Sequence, residues 1–354
     1  MKVLVSLYKT EKFNEYNVIE LISDTGMSIK AIDLGGIITE INTPDREGNI
    51  ENVVLNYDNY DTYLDNPNYL GAIIGRNAGR IGGAKIVIDG IEHELEKNDG
   101  GNTLHGGFNG FNFRKFKFET FNNAECVGVK FSYLSEDGEG GFPGAVYINV
   151  IYTLNNENEL KISYEGRSTK KTILNMTNHS YFNLSGNCKR KITNHSLYIK
   201  SDKITELDND SIITGEMLEV NNSPFDFRIP KKIGKDVFND DYQLKITKGY
   251  DHYFNLNKHK DDEKVVELYD DESGRAMYIK TNCNGVVVYS CNYINEGKLS
   301  IGRDIDIKDA VCLETQNIPI GKNNLFIEDS IIDSNEIYSK ETTYKFIVKD
   351  RVLG

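Results

Sequence analysis

The chain has 354 residues, 39% hydrophobic and 27% charged, the composition of a folded soluble protein and not of a disordered one. Its formal net charge of −13 argues against nucleic acid or an anionic membrane as partner, because both select a basic surface. No apolar run approaches membrane-spanning length, and the apolar start Met1–Leu7 is closed by Lys9, Glu11 and Lys12, too short for a secretory signal.

In chain order, period-2 patterns dominate. Ile29, Ile32, Ile37, Ile38 and Ile41 lie in β-branched runs broken by Gly35 and Gly36, and residues 43–48 form a turn cluster. Lys85–Ile88, then Asp89 and Gly90, then Ile91–Leu95 predict a two-residue hairpin, since Asp-Gly tolerates the positive φ such a turn needs. Val146, Ile148, Val150, Tyr152 and Leu154 alternate, residues 155–158 turn the chain, and Leu160, Ile162 and Tyr164 alternate again. Residues 265–269 and 277–280 predict a second hairpin about a turn at 270–274. Gly285–Tyr289 and Ala310–Thr315 read as buried strands. Helical periodicity is confined to a turn or two at Asn59–Leu64 and Asp236–Tyr242. Many short strands with Gly, Asn and Asp turns predict an all-β sandwich or barrel. Without a linker or a repeat, one domain over residues 1–354 is expected. Five cysteines, Cys126, Cys188, Cys283, Cys291 and Cys312, show no CxxC spacing, which fits a reducing compartment. A cytoplasmic protein is expected.

Three stretches could carry chemistry. In Asn175–Gly186, an extended backbone puts His179, Tyr181 and Asn183 on one face and Phe182 and Leu184 on the other. The imidazole is suited to proton transfer near neutral pH, although alone such a histidine is more commonly a hydrogen-bonded strand residue. In Lys248–Leu256, Asp251 and Tyr253 share a face. A carboxylate beside a ring can hold a sugar, the acid accepting hydroxyl hydrogen bonds and the ring covering a C–H face; a turn aspartate after Gly249 is the competing reading. In Val311–Pro319, Glu314 stands in an otherwise apolar strand, where burial raises a carboxylate pKa; a buried structural ion pair is equally open. The Gly-rich residues 71–83 and 98–107 lack a Gly-Lys-Ser/Thr and a strand–loop–helix unit, so they read as tight turns presenting Arg80 and His105. Arg76 fits a salt bridge or a ligand contact. With six histidines and no zinc-type spacing, no metal is expected.

Taken together, these motifs resemble the aldose 1-epimerases (galactose mutarotases). Gly75–Ile81 is similar to that family's Gly-Arg-x-Ala-Asn-Arg-Ile, and Asn102–Gly107 to its Asn-x-Leu-His-Gly-Gly. Gly140–Gly144, Asn178–Leu184, Gly249–His252 and Leu313–Gln316 follow in the family's order. The resemblance implies a large single-domain β-sandwich, the galactose mutarotase-like supersandwich, with an open sugar cleft. It implies Glu314 as general base and His179 as general acid, with Arg80, His105 and Asp251 binding hydroxyls of a small aldose. No cofactor is implied, and a monomer or homodimer is expected. Such a pair implies a bell-shaped pH profile with limbs for Glu314 ionisation and His179 deprotonation. Four departures bear on sugar preference: Gly79 where many members have Asn, Val287 where some have Gln, Pro319-Ile320-Gly321 for Pro-Asp-Ala, and Phe116 for Trp.

Other readings stay open on the sequence. A non-catalytic sugar-binding domain would use Arg80, His105 and Asp251 without turnover. A hexose-6-phosphate 1-epimerase would need further cations at the cleft. A glycosidase would pair Asp251 with Glu314.

Overall fold

The computed structural model describes residues 1–11 and 15–350; Lys12, one of the charges closing the N-terminal apolar run, lies outside them. The chain is nearly all β, with one short α-helix among the described residues. The sheets are antiparallel ladders built by local alternation. Val146–Asn155 alternates between buried and more exposed residues and pairs with Glu159–Ser168. Between them Asn155 Oδ1 accepts from the backbone N–H groups of Glu157 and Glu159, and Asn158 adopts a φ of 57°. The Lys85–Ile88 and Ile91–Glu94 hairpin forms as expected, with φ of 51° at Asp89 and 78° at Gly90.

Three sheets hold most of the strands. A five-stranded sheet runs in sequence order from Lys2–Lys9 to Ile50–Asn52. A nine-stranded sheet includes Lys117–Asn122, Cys126–Ser135, Val146–Asn155, Glu159–Ser168, Ile337–Val348 and Arg275–Thr281, paired in that order. A six-stranded sheet pairs Tyr181–Phe182, Val311–Gln316, Gly285–Tyr289, Asp251–Leu256, Ser201–Leu207 and Ile213–Glu219.

The six-stranded sheet positions the site. On one face, Val311, Leu313, Val286, Val288 and Phe254 share a core with Phe131, Val150, Ile162, Ile279 and Tyr344 of the nine-stranded sheet. The Phe182 and Tyr344 ring centroids are 5.4 Å apart, and the hydroxyls of Thr315 and Thr342 bond across the same interface. On the other face, Glu314, Gln316, Val287, Tyr289 and Asp251 line a cleft.

Two expectations change. Residues 175–186 do not form one continuous strand; Thr177–Asn178 and Tyr181–Phe182 are separate two-residue strands. The reason is local hydrogen bonding: Asn178 Oδ1 accepts from the N–H and hydroxyl of Ser180, and Asn183 Oδ1 does the same with Ser185. Such side-chain bonds compete with the strand ladder. The expected helical turn at Asp236–Tyr242 is displaced to an α-helix at Tyr242–Thr247. It starts there because the Asp241 side chain accepts from the Gln243 and Leu244 N–H groups, a strong N-cap. The turn at 59–64 is a 3-10 helix, Tyr60–Leu64, capped by Asn59.

Leu313 is 1% exposed within the shared core. Leu313→Ala is expected to cost about 2–5 kcal/mol, measured as a lower urea midpoint with an unchanged slope.

Candidate active site

Two side chains meet on the cleft floor. Glu314 points from Val311–Gln316 away from the core, and His179 lies beside it, with Nε2 3.6 Å from Glu314 Oε1. They are 3% and 5% exposed. Backbone bonds fix His179: its N–H donates to the Ala72 carbonyl and its carbonyl accepts from Gly71 N–H. Gly71 has a φ of 68°, and a Cβ there would sit 2.0 Å from the Ile38 carbonyl oxygen, so only glycine fits the close approach. The imidazole stacks on Tyr181 at 5.1 Å and Tyr69 at 6.0 Å and meets His105 edge-on at 5.2 Å.

The cleft, about 380 Å³ in volume, also takes in Arg80, His105, Asp251, Asp99 and Gly79. Arg80 Nε donates to Asp99 Oδ2 at 2.7 Å, and its Nη1 lies 3.8 Å from Asp251 Oδ2. His105 Nδ1 accepts from the Gly79 N–H at 3.2 Å. That bond leaves the other ring nitrogen to carry the proton of the neutral imidazole.

Burial sets the protonation states. It raises the Glu314 carboxyl well above the usual carboxylate range, and the neighbouring Asp251 raises it further. It lowers His179 to about 4. Both groups are therefore pushed towards neutrality, and the pair as a unit favours holding one proton. His105 is lowered by burial and then by the charges of His179 and Arg80. Burial opposes the Arg80 charge, but Asp251 and Asp99 outweigh it and hold the guanidinium protonated. Asp251 is raised by burial, against the pull of Arg80.

The five residues for which the resemblance implied roles, Glu314, His179, Arg80, His105 and Asp251, converge on one cleft, whereas Tyr253, expected to share a sugar-binding face with Asp251, is 2% exposed and packs with Leu207, Ile213 and Ile318. Asn183 does not join them: its amide donates to the Arg190 and Asp309 carbonyls. Nor does Arg76, which is 2% exposed and donates to Ser135 Oγ and to the Ser135, Glu136 and Pro143 carbonyls. Its role is to hold the 135–143 loop, and burial lowers its pKa to about 10. Of the departures, Gly79 and Val287 line the cleft, and Val287 stands opposite Glu314 in the ladder. Ile320 packs in a small cluster with Ile81 and Ile86, and Phe116 packs against Phe131 and Tyr133. Tyr69, Tyr289, Tyr293, Asn295 and Gln316 also line the cleft. Sequence reasoning missed Tyr69, Tyr293 and Asn295 because loop return, not local spacing, brings them there, while Gln316 carried a usable signal, two residues from Glu314 on the same strand face. Tyr289 carried a usable signal, being two residues from Val287 and hence on the same strand face.

Cys312, His179 and Glu314 offer donor atoms within 4.8 Å of one another. The imidazole meets Cys312 through Nδ1, at 3.5 Å, and Glu314 through Nε2. The two ring nitrogens thus face different partners, an arrangement suited to proton transfer.

A family model described as aldose 1-epimerase matches residues 17–345. The chain belongs to the aldose 1-epimerase family. It is 34% identical to the galactose mutarotase of Bos taurus over 91% of this chain and 92% of that protein. It is 30% identical to the aldose 1-epimerase of Streptococcus thermophilus over 99% of this chain and all of that protein. A crystal structure of galactose 1-epimerase from Lactobacillus acidophilus superposes with a TM-score of 0.88 at 28% identity, covering 99% of this chain and all of that one. A C. elegans aldose epimerase homologue superposes with a TM-score of 0.84 at 26% identity, covering 95% of this chain and all of that one. The fold is the mutarotase-type β-sandwich, and the chain is an isomerase with the mutarotase function of the aldose 1-epimerases.

The two arginines of the shared motif should separate by assay. Arg76→Met leaves buried carbonyls unpaired and is expected to cost roughly 2–4 kcal/mol of stability, with little change in KM for galactose. Arg80→Met should instead lower kcat/KM by about tenfold or more, on top of any stability lost by leaving Asp99 and Asp251 unpaired. Melting curves and polarimetry of the two variants check both.

Proposed function

We propose that this aldose 1-epimerase interconverts the α and β anomers of hexoses such as galactose and glucose, with Glu314 as general base and His179 as general acid. The observation that carries the reading is the buried carboxyl–imidazole pair, 3.6 Å apart, in a cleft that also holds Arg80, His105 and Asp251. Ring opening needs a proton taken from the anomeric hydroxyl O1 and one given to the ring oxygen O5. Ionised Glu314 takes the first and protonated His179 gives the second. The C1–C2 bond of the open aldehyde turns. Neutral His179 then removes the O5 proton as protonated Glu314 returns one to O1, closing the ring as the other anomer.

The pair starts as an ion pair and is neutral while the sugar is open. Burial favours the neutral form, so the ion pair that begins the reaction is the minor tautomer of the one-proton pair, and the cost of forming it is recovered as the sugar opens. Arg80, His105 and Asp251 would hold sugar hydroxyls, His105 as an Nε2–H donor and Asp251 as an acceptor. Arg80 is paired with Asp99 and Asp251, which leaves little uncompensated positive charge for a phosphate and favours a neutral sugar. The imidazole in contact with Glu314 supplies the acid that ring opening needs, which favours epimerisation over hydrolysis. The reading assigns residues 1–354 to one domain, working as a monomer or homodimer on a diffusible aldose. The five free cysteines and the absence of a described helix able to cross a membrane suit a cytoplasmic setting.

Glu314→Gln removes the base and keeps the shape. It is expected to fold normally and to lose about 10²–10⁴-fold in kcat by polarimetry of fresh α-D-galactose; a variant with near-wild-type kcat would mean that the base is misassigned.

The pH profile of the wild type follows from the pair. Below the acid limb both groups are protonated and no base remains; above the basic limb neither is protonated and no acid remains. Burial lowers His179 to about 4 and raises Glu314, so the acid limb reflects the imidazole and the basic limb the carboxyl, the reverse of the assignment from unperturbed groups. A broad plateau through neutrality is expected, with rate lost as pH falls towards about 4. A maximum confined to a narrow interval near the ordinary histidine pKa would count against this pairing.

A further inference from the structure

Tyr293 lies just beyond the strand Gly285–Tyr289 and lines the cleft. The residue is 40% exposed, whereas Tyr181 and Tyr289 of the same cleft are buried. Exposure here does not mean freedom. The Tyr293 hydroxyl donates to the Ile246 carbonyl at 3.2 Å. Its backbone N–H donates to the Tyr289 hydroxyl at 2.9 Å, and that hydroxyl donates back to the Tyr293 carbonyl at 2.8 Å. Two residues on, Asn295 is lashed to the facing loop: its N–H donates to Asn68 Oδ1, its amide donates to the Pro67 carbonyl, and its own carbonyl accepts from Asn68 Nδ2. The Lys248 ammonium sits 5.1 Å from the ring centroid and occupies one face of the ring.

An aromatic ring is thus held rigid in the lining of the cleft, with one face backed by a cation and much of its surface unpacked. Asp251 and Arg80 are close enough for their charges to act on its hydroxyl. Water gains little from such a surface, whereas a pyranose has both hydroxyl edges and an apolar C–H face. Hydrogen-bonding groups suit the edges and a ring suits the face. The chain has no tryptophan to serve in its place.

We propose that Tyr293 is a substrate-binding residue whose ring covers the apolar C–H face of the aldose held by Asp251 and Arg80. This rests on the acid–base reading of Glu314 and His179, and adds to it a residue that binds without moving a proton. Its contact is the same before and during ring opening at C1, so it contributes to KM and not to kcat.

The test is polarimetry with galactose on three variants of the full chain. Tyr293→Ala keeps the backbone groups that bond Tyr289, so the rim should stay in place. It is expected to raise KM roughly tenfold with kcat within about twofold, and Tyr293→Phe to match the wild type within about twofold. Tyr293→Trp in a Glu314→Gln background supplies the only tryptophan in the chain, and its emission should change saturably as galactose is added. An unchanged KM in Tyr293→Ala, a fall in kcat at constant KM, or tryptophan emission blind to galactose while the wild type turns it over would each overturn the assignment. A wild type that accelerates no aldose would instead overturn the acid–base reading, and the assignment with it.

Discussion

The strand Val311–Gln316 is buried from end to end, yet its two faces have opposite chemistry. Val311, Leu313 and Thr315 turn to the nine-stranded sheet; Cys312, Glu314 and Gln316 turn to the cleft side. The rest of the site depends on this division. Alternation has a period of two, so a slip of one residue would drive Glu314 into the hydrocarbon core and expose Leu313. The register is pinned on both sides, Val287 opposite Glu314 and Tyr181 opposite Cys312. Burial among the cleft-side groups keeps water from solvating the carboxyl and raises its pKa, and Asp251 adds to the shift.

Burying one ionisable group is costly, and burying two that can exchange a proton costs less. Glu314 and His179 can be ionised together or neutral together, with no net charge in either state. The chemistry proposed here uses only these two states, so the site needs no large swing in net charge during turnover. The remaining charges are arranged in the same spirit. Arg80 faces two carboxylates, and Asp251 is raised by burial even with Arg80 nearby. What is left is a set of hydrogen-bonding groups and rings in a field of low net charge, a surface suited to neutral polyhydroxy compounds.

The imidazole is positioned by a different device. No long strand carries it; two asparagine-centred turns interrupt the ladder on either side of Tyr181–Phe182. The Gly71 backbone then passes close enough to bond the His179 carbonyl. Tyr69 and Tyr181 stack on the ring, which restricts its rotation. A flat aromatic stack orients an imidazole without donating or accepting its protons, so both ring nitrogens remain available, one to Cys312 and one to Glu314.

By itself the sequence determined what depends on near neighbours. Alternation marked the strands at Val146–Asn155 and Glu159–Ser168, Asp89 and Gly90 marked a hairpin, and a lone glutamate in an apolar strand marked Glu314. The ordered motifs marked His179, Arg80, His105 and Asp251. The tertiary structure decided what depends on distant partners. Arg76 and Arg80 share one short motif, yet one is spent on the carbonyls of the 135–143 loop and the other faces the cleft. Asn183 has the strand parity of His179 but turns to the Arg190 and Asp309 carbonyls. Tyr293 and Asn295 enter the site only because their loop clasps residues 67 and 68, more than two hundred positions earlier in the chain. The reason is physical: local spacing determines which face a side chain takes, whereas the group it meets on that face is set by which strands and loops pack against it.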